Sequence, residues 1–342
     1  MNIKLLAIDI AKNVFQLHGN DATGKCVFKK RVSRKKLVET MVNIKPCTIV
    51  LESCGGSSYW HRKFTAMGHT VKLIAPQYVK PFVKTNKNDA NDAEAIAEAA
   101  SRPSMRYVEP KTIEQQDIQA MHKIRSRLVK NKTQLANQIR GLLLEYGIAI
   151  KQSHYALREV LPTIIEDAEN ELTAITRELL NDLYEEFINL TEKVKNYDAK
   201  IKNLAKSQES CQRLMDIEGI GELTATAIIS TMGNPSDFKN GRHFASYLGL
   251  VPRQHSSGQK TQLLGISKRG NTYLRTLLIH GARASIGKIE GKSDKKSQWI
   301  KEKLKRSGYC KTLIALANKN ARTAWSLLAN ATKYDINFKQ AA

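Results

Sequence analysis

The sequence predicts an α/β domain followed by a mainly helical remainder, and three observations set that class. Residues 1–109 alternate short β-branched apolar runs with helix-period stretches. Residues 110–212 repeat apolar side chains at three- and four-residue steps almost without a break. Residues 213–342 open on an apolar-x-Gly-apolar-Gly step between two helical stretches. With 342 residues, 42% of them hydrophobic, the chain has material for two or three cores. The expected division is therefore 1–109, 110–212 and 213–342.

In the first region, Leu5, Leu6, Ile8 and Ile10 surround a lone acid, Asp9, and Val14 to Leu17 continue the apolar run, which makes one or two strands. Cys26 to Val32 form another, with Asp21 to Gly24 as the hairpin turn. Ser33 stands where a helix carrying Leu37, Val38 and Met41 needs its N-cap. Cys47 to Leu51 is a short buried strand, Ser58 to Met67 a helix ended by Gly68, and Thr70 to Ile74 a further strand. Asn88 to Ser101, rich in Ala and Glu, is helical. A hairpin followed by alternating helices and strands gives a mixed sheet.

The middle region places Met121, Ile124, Leu128, Leu135, Ile139 and Leu142 on one seam. Gly147 and Pro162 break the pattern, which resumes through Leu172, Ile175, Leu179, Leu183, Phe187, Leu190 and Val194. Two long helices of balanced charge fit an antiparallel or intermolecular coiled coil, or an ordinary helical bundle. The third region begins with Leu214 to Gly221 before a helix from Glu222 to Thr231, the helix-hairpin-helix pattern. Gly219 and Gly221 would bring backbone N–H groups near a phosphate at a helix N-terminus; a plain interhelical turn reads the same way. Phe244 to Leu250, a polar glycine-bearing loop and a basic helical stretch from Asn271 to Lys288 follow.

Charge narrows the function. Lys plus Arg number 55 against 32 Asp plus Glu, a net of +23. The first region holds 18 basic and 9 acidic residues, the middle 15 of each, and the last 22 against 8. A polyanion, nucleic acid by default, would touch both flanks while the middle does something else. No apolar run approaches the ~18 residues of a membrane span, and Asp9 interrupts the start too early for a signal peptide. Cys26, Cys47, Cys54, Cys211 and Cys310 show neither C-x-x-C nor zinc-ligand spacing. They read as reduced cytosolic thiols and argue against a disulfide scaffold or structural zinc; with nucleic acid as partner, the expected location is the cytoplasm, at the nucleoid.

Four acids stand out. Asp9 lies mid-strand among apolar neighbours, where an unpaired charge is costly. Glu52 follows the buried run Thr48 to Leu51. Asp89 and Asp92 stand three apart at a helix start, hence on one helix face. Converging carboxylates supply the oxygen ligands a hard divalent cation needs, and two ions about 3.5–4 Å apart serve phosphodiester displacement. Helix-dipole charges at Asp89 and Asp92, a lysine partner for Asp9 and a surface role for Glu52 are the plainer readings. Strand-Asp, strand-Glu and helix-Asp-x-x-Asp on a mixed sheet is the order that the ribonuclease H and RuvC resolvase fold presents.

The segment Tyr247 to Lys260 reads as a flexible polar loop with a Pro-Arg step, His255, the adjacent Ser256 and Ser257, and Gly258. Arg253, Lys260, Lys268 and Arg269 make an anion site around it. A serine held there can attack a phosphodiester and form a covalent DNA ester, although serines in such loops usually serve the turn. His255 is a candidate proton shuttle, although a lone histidine in such a loop is more often a plain polar residue.

Four motifs in order, Ala7 to Lys12, Leu51 to Gly55, Lys87 to Ala93, and Gly249 to Gly258 with Ile266 to Asn271, resemble the DEDD transposases of the IS110 insertion-sequence family, relatives of the Piv-type DNA invertases. The resemblance covers residues 5 to about 285. It implies a RuvC-like N-terminal domain, a coiled-coil middle used in dimerisation and a C-terminal transposase domain bearing a serine. It further implies Mg2+ (two ions, with Mn2+ as the alternative) on Asp9, Glu52, Asp89 and Asp92, and a structured bridge RNA that pairs with donor and target DNA. Homodimers or tetramers are implied too, the acids of one subunit completed by the serine of another. The family serine precedes the loop glycine, which points to Ser257, beside Ser256; Gln259 stands where the pattern often has a second glycine.

The resulting expectation is a magnesium-dependent recombinase that excises and inserts a mobile element through a phosphoserine-type intermediate. Gly219, Gly221, Arg253, Lys260, Lys268 and Arg269 are the expected nucleic-acid contacts, with Lys292, Lys295 and Lys296 as non-specific phosphate contacts or a solvated charge run. Two rivals stand beside it: a Holliday-junction nuclease using water as nucleophile, and a non-catalytic nucleic-acid-binding scaffold.

Overall fold

The structure, a computed structural model, describes residues 2–84, 89–258 and 260–335; of Asp89 and Ala90 it describes the backbone alone. The chain divides into two units, Met1–Thr112 and Ile113–Ala342.

In the first unit, β1 (Leu5–Ile10), β2 (Val14–Asn20) and β3 (Cys26–Ser33) form an antiparallel meander. Its second turn is closed by Asp21, whose carboxylate accepts from the Thr23 and Lys25 amides. After α1 (Arg34–Val42), β4 (Thr48–Glu52) lies parallel to β1; α2 (Ser57–Ala66) leads to β5 (Thr70–Ile74), parallel to β4. Then come α3 (Pro76–Val79), α4 (Asp89–Ala100) and the two-residue β6 (Tyr107–Val108), antiparallel to β5. The order is β3-β2-β1-β4-β5-β6. The period-2 alternation of strands gives each face its own core. Leu6, Ile8, Ile49, Leu51 and Leu73 pack with α1 and α2 through Leu37, Met41, Trp60 and Phe64. Ala7, Val50 and Ile74 face the other way and pack on Ala95, Ile96 and Ala99 of α4. The alanines let α4 lie close to the sheet.

In the second unit, α5 (Ile113–Leu144), α6 (His154–Glu166) and α7 (Ala174–Ser207) build a helical hairpin. Arg125 pairs with Asp198 near one end, and the Tyr146 hydroxyl bonds that of Thr176 (2.7 Å) near the other, so α5 and α7 run antiparallel. The apolar seam is covered within the chain: Leu128, Leu135, Ile139 and Leu143 pack against Leu157, Leu161, Leu180, Phe187 and Val194. Pro162 does not break the pattern as expected but sits inside α6. A proline leaves the carbonyl four residues back without its amide donor, and here the Tyr184 hydroxyl donates to the Arg158 carbonyl instead (3.2 Å).

The rest of the unit comprises α8 (Glu209–Met215), α9 (Glu222–Met232), α10 (Gly241–Tyr247), the hairpin β7 (Pro252–Ser257) and β8 (Lys260–Ile266), then α11 (Thr272–Ile286), α12 (Lys295–Ser307) and α13 (Tyr309–Asn330). Its core, including Leu214, Ile217, Phe244, Leu278, Ile300 and Leu316, takes in Ala205 of α7. Residues 113–212 belong to the same unit as the chain beyond them. From Pro252 on, the segment expected as a flexible loop enters a β-ribbon, whose strands are exposed at every residue but Ile266.

Buried His122 joins α5 to that core. The Thr226 hydroxyl already donates to the Glu222 carbonyl (2.8 Å), so His122 Nε2–H donates to Thr226 Oγ1 (3.0 Å) and Nδ1 accepts from the Tyr273 hydroxyl (3.0 Å). Burial, then the nearby Arg125, hold its pKa down at about 4. A depressed histidine pKa means the unfolded chain takes a proton that the folded chain refuses. The stabilisation is complete above pH ~6.5 and is lost as pH falls towards 4, by up to about 3 kcal/mol. Urea melts of wild type and His122→Gln at pH 7.5 and 5 should show a steeper acid loss in wild type; equal losses would dissociate His122 from acid sensitivity.

Candidate functional site

The strand registers carry the expected acids to one face of the sheet. Ile8 pairs with Leu51 across the parallel β1–β4 ladder, so Asp9 and Glu52, the next residues, are neighbours at the carboxyl ends of adjacent strands. Since Ile8 and Leu51 pack towards α1 and α2 while Ala7 and Val50 pack towards α4, alternation turns both acids to the α4 face. Both are half-buried. Cys54 reports their field: after desolvation, the Glu52 and Asp9 carboxylates push its thiol above the usual range. Such a thiol is a poor nucleophile at neutral pH.

On α4, Asp92 is half-buried, four residues before Ile96 and seven before Ala99, and so shares the sheet-facing stripe. Asp89 starts the same helix, and its side chain lies outside the described residues. Among the described residues, no three Asp, Glu, His or Cys side chains converge closely enough to hold a metal ion. Glu94 and Glu98 of α4 bond Lys29 and Lys84 at 3.2–3.4 Å, which ties the helix to β3 and to the segment before it. The donor set fits a hard cation: carboxylate oxygens, two in adjacent register, partly shielded from water.

Ser257 and Ser256 occupy opposite faces of the ribbon. Ser257 pairs with Lys260 and His255 with Gln262, which puts these four on one face; Ser256 pairs with Thr261 on the other, where its hydroxyl accepts from Gln254 Nε2 (2.8 Å). Gly258 at the tip has φ +57°. Arg253, Lys260, Lys268 and Arg269 are all exposed. The ribbon's root is rigid. Buried Arg275 donates to the carbonyls of Leu248 (2.9 Å) and Arg269 (2.8 Å), one on each side of the ribbon, and to Thr272 Oγ1 (3.0 Å). Gly249 and Gly270 have φ of +70° and +74°, and a Cβ on Gly270 would lie 1.9 Å from the Tyr247 carbonyl oxygen. Nothing in the sequence marks Arg275 apart from neighbouring cations on a basic helix.

The two glycines of the turn between α8 and α9 differ in their surroundings. Gly219 (φ +90°) is packed on α11, where a Cβ would come within 2.6 Å of the Gly281 carbonyl oxygen, whereas Gly221 is exposed at the start of α9. Beside them runs a cleft of about 610 Å³ edged by His280, Lys288 and Lys292. Lys292 pairs with Glu218. Lys296 is neither solvated nor available to phosphate: it is 5% exposed, its ammonium has no hydrogen-bond partner among the described residues, and burial brings its pKa down to about 8.

Residues 211–298 match the family model described as "Transposase IS116/IS110/IS902 family", and residues 6–148 match the DEDD model of the IS110 type, described as "Transposase". The chain is 50% identical over 333 residues to the transposase for insertion sequence element IS1111A of Coxiella burnetii, covering 97% of this chain and 92% of that one. It is 45% identical to a probable family 20 transposase of Pseudomonas aeruginosa, covering 98% and 99%. At 24% identity it also resembles the pilin gene-inverting protein of Moraxella lacunata, with 82% of each chain covered.

The root geometry predicts that Gly270→Ala lowers stability by about 1–3 kcal/mol or more, through both the clash and the positive φ. Gly265→Ala, with nothing within 4 Å of the added methyl, should be neutral. Thermal melts of the two variants test this; equal melting temperatures would contradict the root's rigidity.

Proposed function

The chain belongs to the IS116/IS110/IS902 family of insertion-sequence transposases, and from that premise we propose that it is a Mg2+-dependent DNA recombinase with a ribonuclease H/RuvC-like catalytic domain and Ser257 as nucleophile. The observation that carries the reading is the in-register placement of Asp9 and Glu52 at adjacent strand ends, on the face that α4 and Asp92 cover. Asp9, Glu52, Asp89 and Asp92 would hold the ions. When bound, divalent ions lower the charge on the scissile phosphate and stabilise the attacking and leaving oxygens.

The serine step balances without a further reactant. The Ser257 oxygen bonds to phosphorus, one P–O ester bond of the DNA breaks, and the departing sugar oxygen takes a proton while the serine gives one up. Lys260 opposite Ser257 offsets phosphate charge, and His255 on the same face passes the proton. Resolving the phosphoserine ester with another strand's hydroxyl completes the exchange and conserves the bond energy. Gly221, Arg253, Lys268 and Arg269 would hold phosphates along the path, and Gly219 would shape the turn that presents Gly221. A structured bridge RNA that pairs with element ends and target is the guide in this reading. Work on a tetramer in the cytoplasm, at the nucleoid, completes it.

Denaturing gels with labelled element-end DNA test the assignment. Wild type should form a slow, protease-sensitive band in Mg2+; Ser257→Ala should lose it and Ser256→Ala retain it. Asp9→Asn should bind DNA with unchanged salt dependence and cut none. Normal cutting by wild type without an adduct would replace the serine with water as nucleophile.

A further inference from the structure

The middle of this basic chain carries an acidic, apolar surface. Residues 142–186 hold ten acidic side chains against three basic ones, a net of −7 within a chain of net +23. On the first turns of α7, Ile175, Glu178, Leu179 and Asp182 follow the i, i+3, i+4, i+7 stripe and are all exposed, Ile175 by 70% and Leu179 by 53%. Leu144, 63% exposed, lies at the same end of the helical hairpin, beside the Tyr146–Thr176 bond. That end stands well clear of α9: Ile175 is 23 residues along α7 from Asp198, roughly 35 Å at 1.5 Å per residue. A surface of this sign repels phosphate backbones.

The complementary surface is elsewhere in the same unit. β8, α12 and α13 enclose a cleft of about 920 Å³, floored by Leu263, Leu264, Trp299 and Ile314 and edged by Lys303, Lys311 and Lys319, with no acid among the described residues that line it. Leu263 is 65% exposed on a ribbon that has two strands among the described residues, and such a ribbon is marginal without cover. The cleft takes an amphipathic helix with a narrow apolar stripe and acidic flanks, the mode of helix-in-groove recognition.

We propose that the α7 stripe of one copy docks into the β8–α12–α13 cleft of a second copy, so that the neighbouring molecule clamps the serine-bearing ribbon. Opposite charges set the register, and the apolar side chains supply the buried area. Each copy offers one stripe and one cleft, so two copies satisfy the contact reciprocally in a closed, isologous pair. It holds whether or not Ser257 is the nucleophile, since it rests on helix face and cleft alone.

Light scattering on full-length protein freed of nucleic acid tests the contact. Wild type should associate at low ionic strength. Glu178→Lys/Asp182→Lys, at exposed positions, and Lys303→Glu/Lys311→Glu, at a half-buried and an exposed position on the cleft edge, should each weaken association by about tenfold or more. All four changes in one chain should restore it. A monomeric wild type, an assembly that neither pair disturbs, or failure of the combined variant to recover would overturn the proposal. So would a cleft variant that loses DNA binding and keeps its assembly, since nucleic acid would then be the occupant.

Discussion

The parallel pairing of β1 with β4 is the constraint on which the N-terminal unit depends. Setting Ile8 opposite Leu51 does two things at once. It assigns the even residues of β1 and the odd residues of β4 to the core under α1 and α2, and it sends Asp9 and Glu52 to the other face. A slip of one residue in either strand would bury a carboxylate among Phe15, Trp60 and Phe64. The hydrophobic core therefore enforces the acid geometry. In turn α4, lined with Ala95, Ala97 and Ala99, must be thin enough to share that face with two charged side chains.

Much of this was legible in the sequence. The runs Leu5 to Ile10, Thr48 to Leu51 and Thr70 to Ile74 are β-branched and bounded by turns, and they fall where the strands do. Pattern alone also placed Asp9 and Glu52 at strand positions and Asp92 on a helix. The ribbon was illegible for a physical reason. Pro252 to Ser257 alternates nothing apolar, because neither face packs on the chain's own core. Pro162 misled for another: its effect is cancelled by Tyr184, 22 residues away, and no local window contains that hydroxyl. Lys296 looks like its exposed neighbours in a run of cations, yet helix phase turns it inward.

Arg275 shows how the C-terminal unit solves a mechanical problem. A ribbon whose side chains are exposed at every strand position but Ile266 is aimed chiefly at its root. There the arginine's fork spans two carbonyls, one before β7 and one after β8, while Gly249 and Gly270 allow the strands to approach closely. Lys268 holds φ +54°, a conformation a non-glycine residue resists, and its amide bonds the Gly249 carbonyl (3.3 Å). Strain is concentrated at the root. The strands beyond it keep the freedom to meet a surface supplied from outside.

Charge distribution has the last word on what that surface is. Two copies of a chain at net +23 repel one another, and association in the absence of a polyanion requires a local reversal of sign. The chain supplies one at the end of its helical hairpin, where the seam that packs α5 on α7 is already filled by Leu157, Leu161 and Phe187. Ile175 and Leu179 are therefore surplus to the hairpin's own core. Apolar side chains left exposed beside Glu178 and Asp182 make a face that nucleic acid would not select. The basic flanks and this acidic tip divide the work: the flanks take phosphate, and the tip is left for protein.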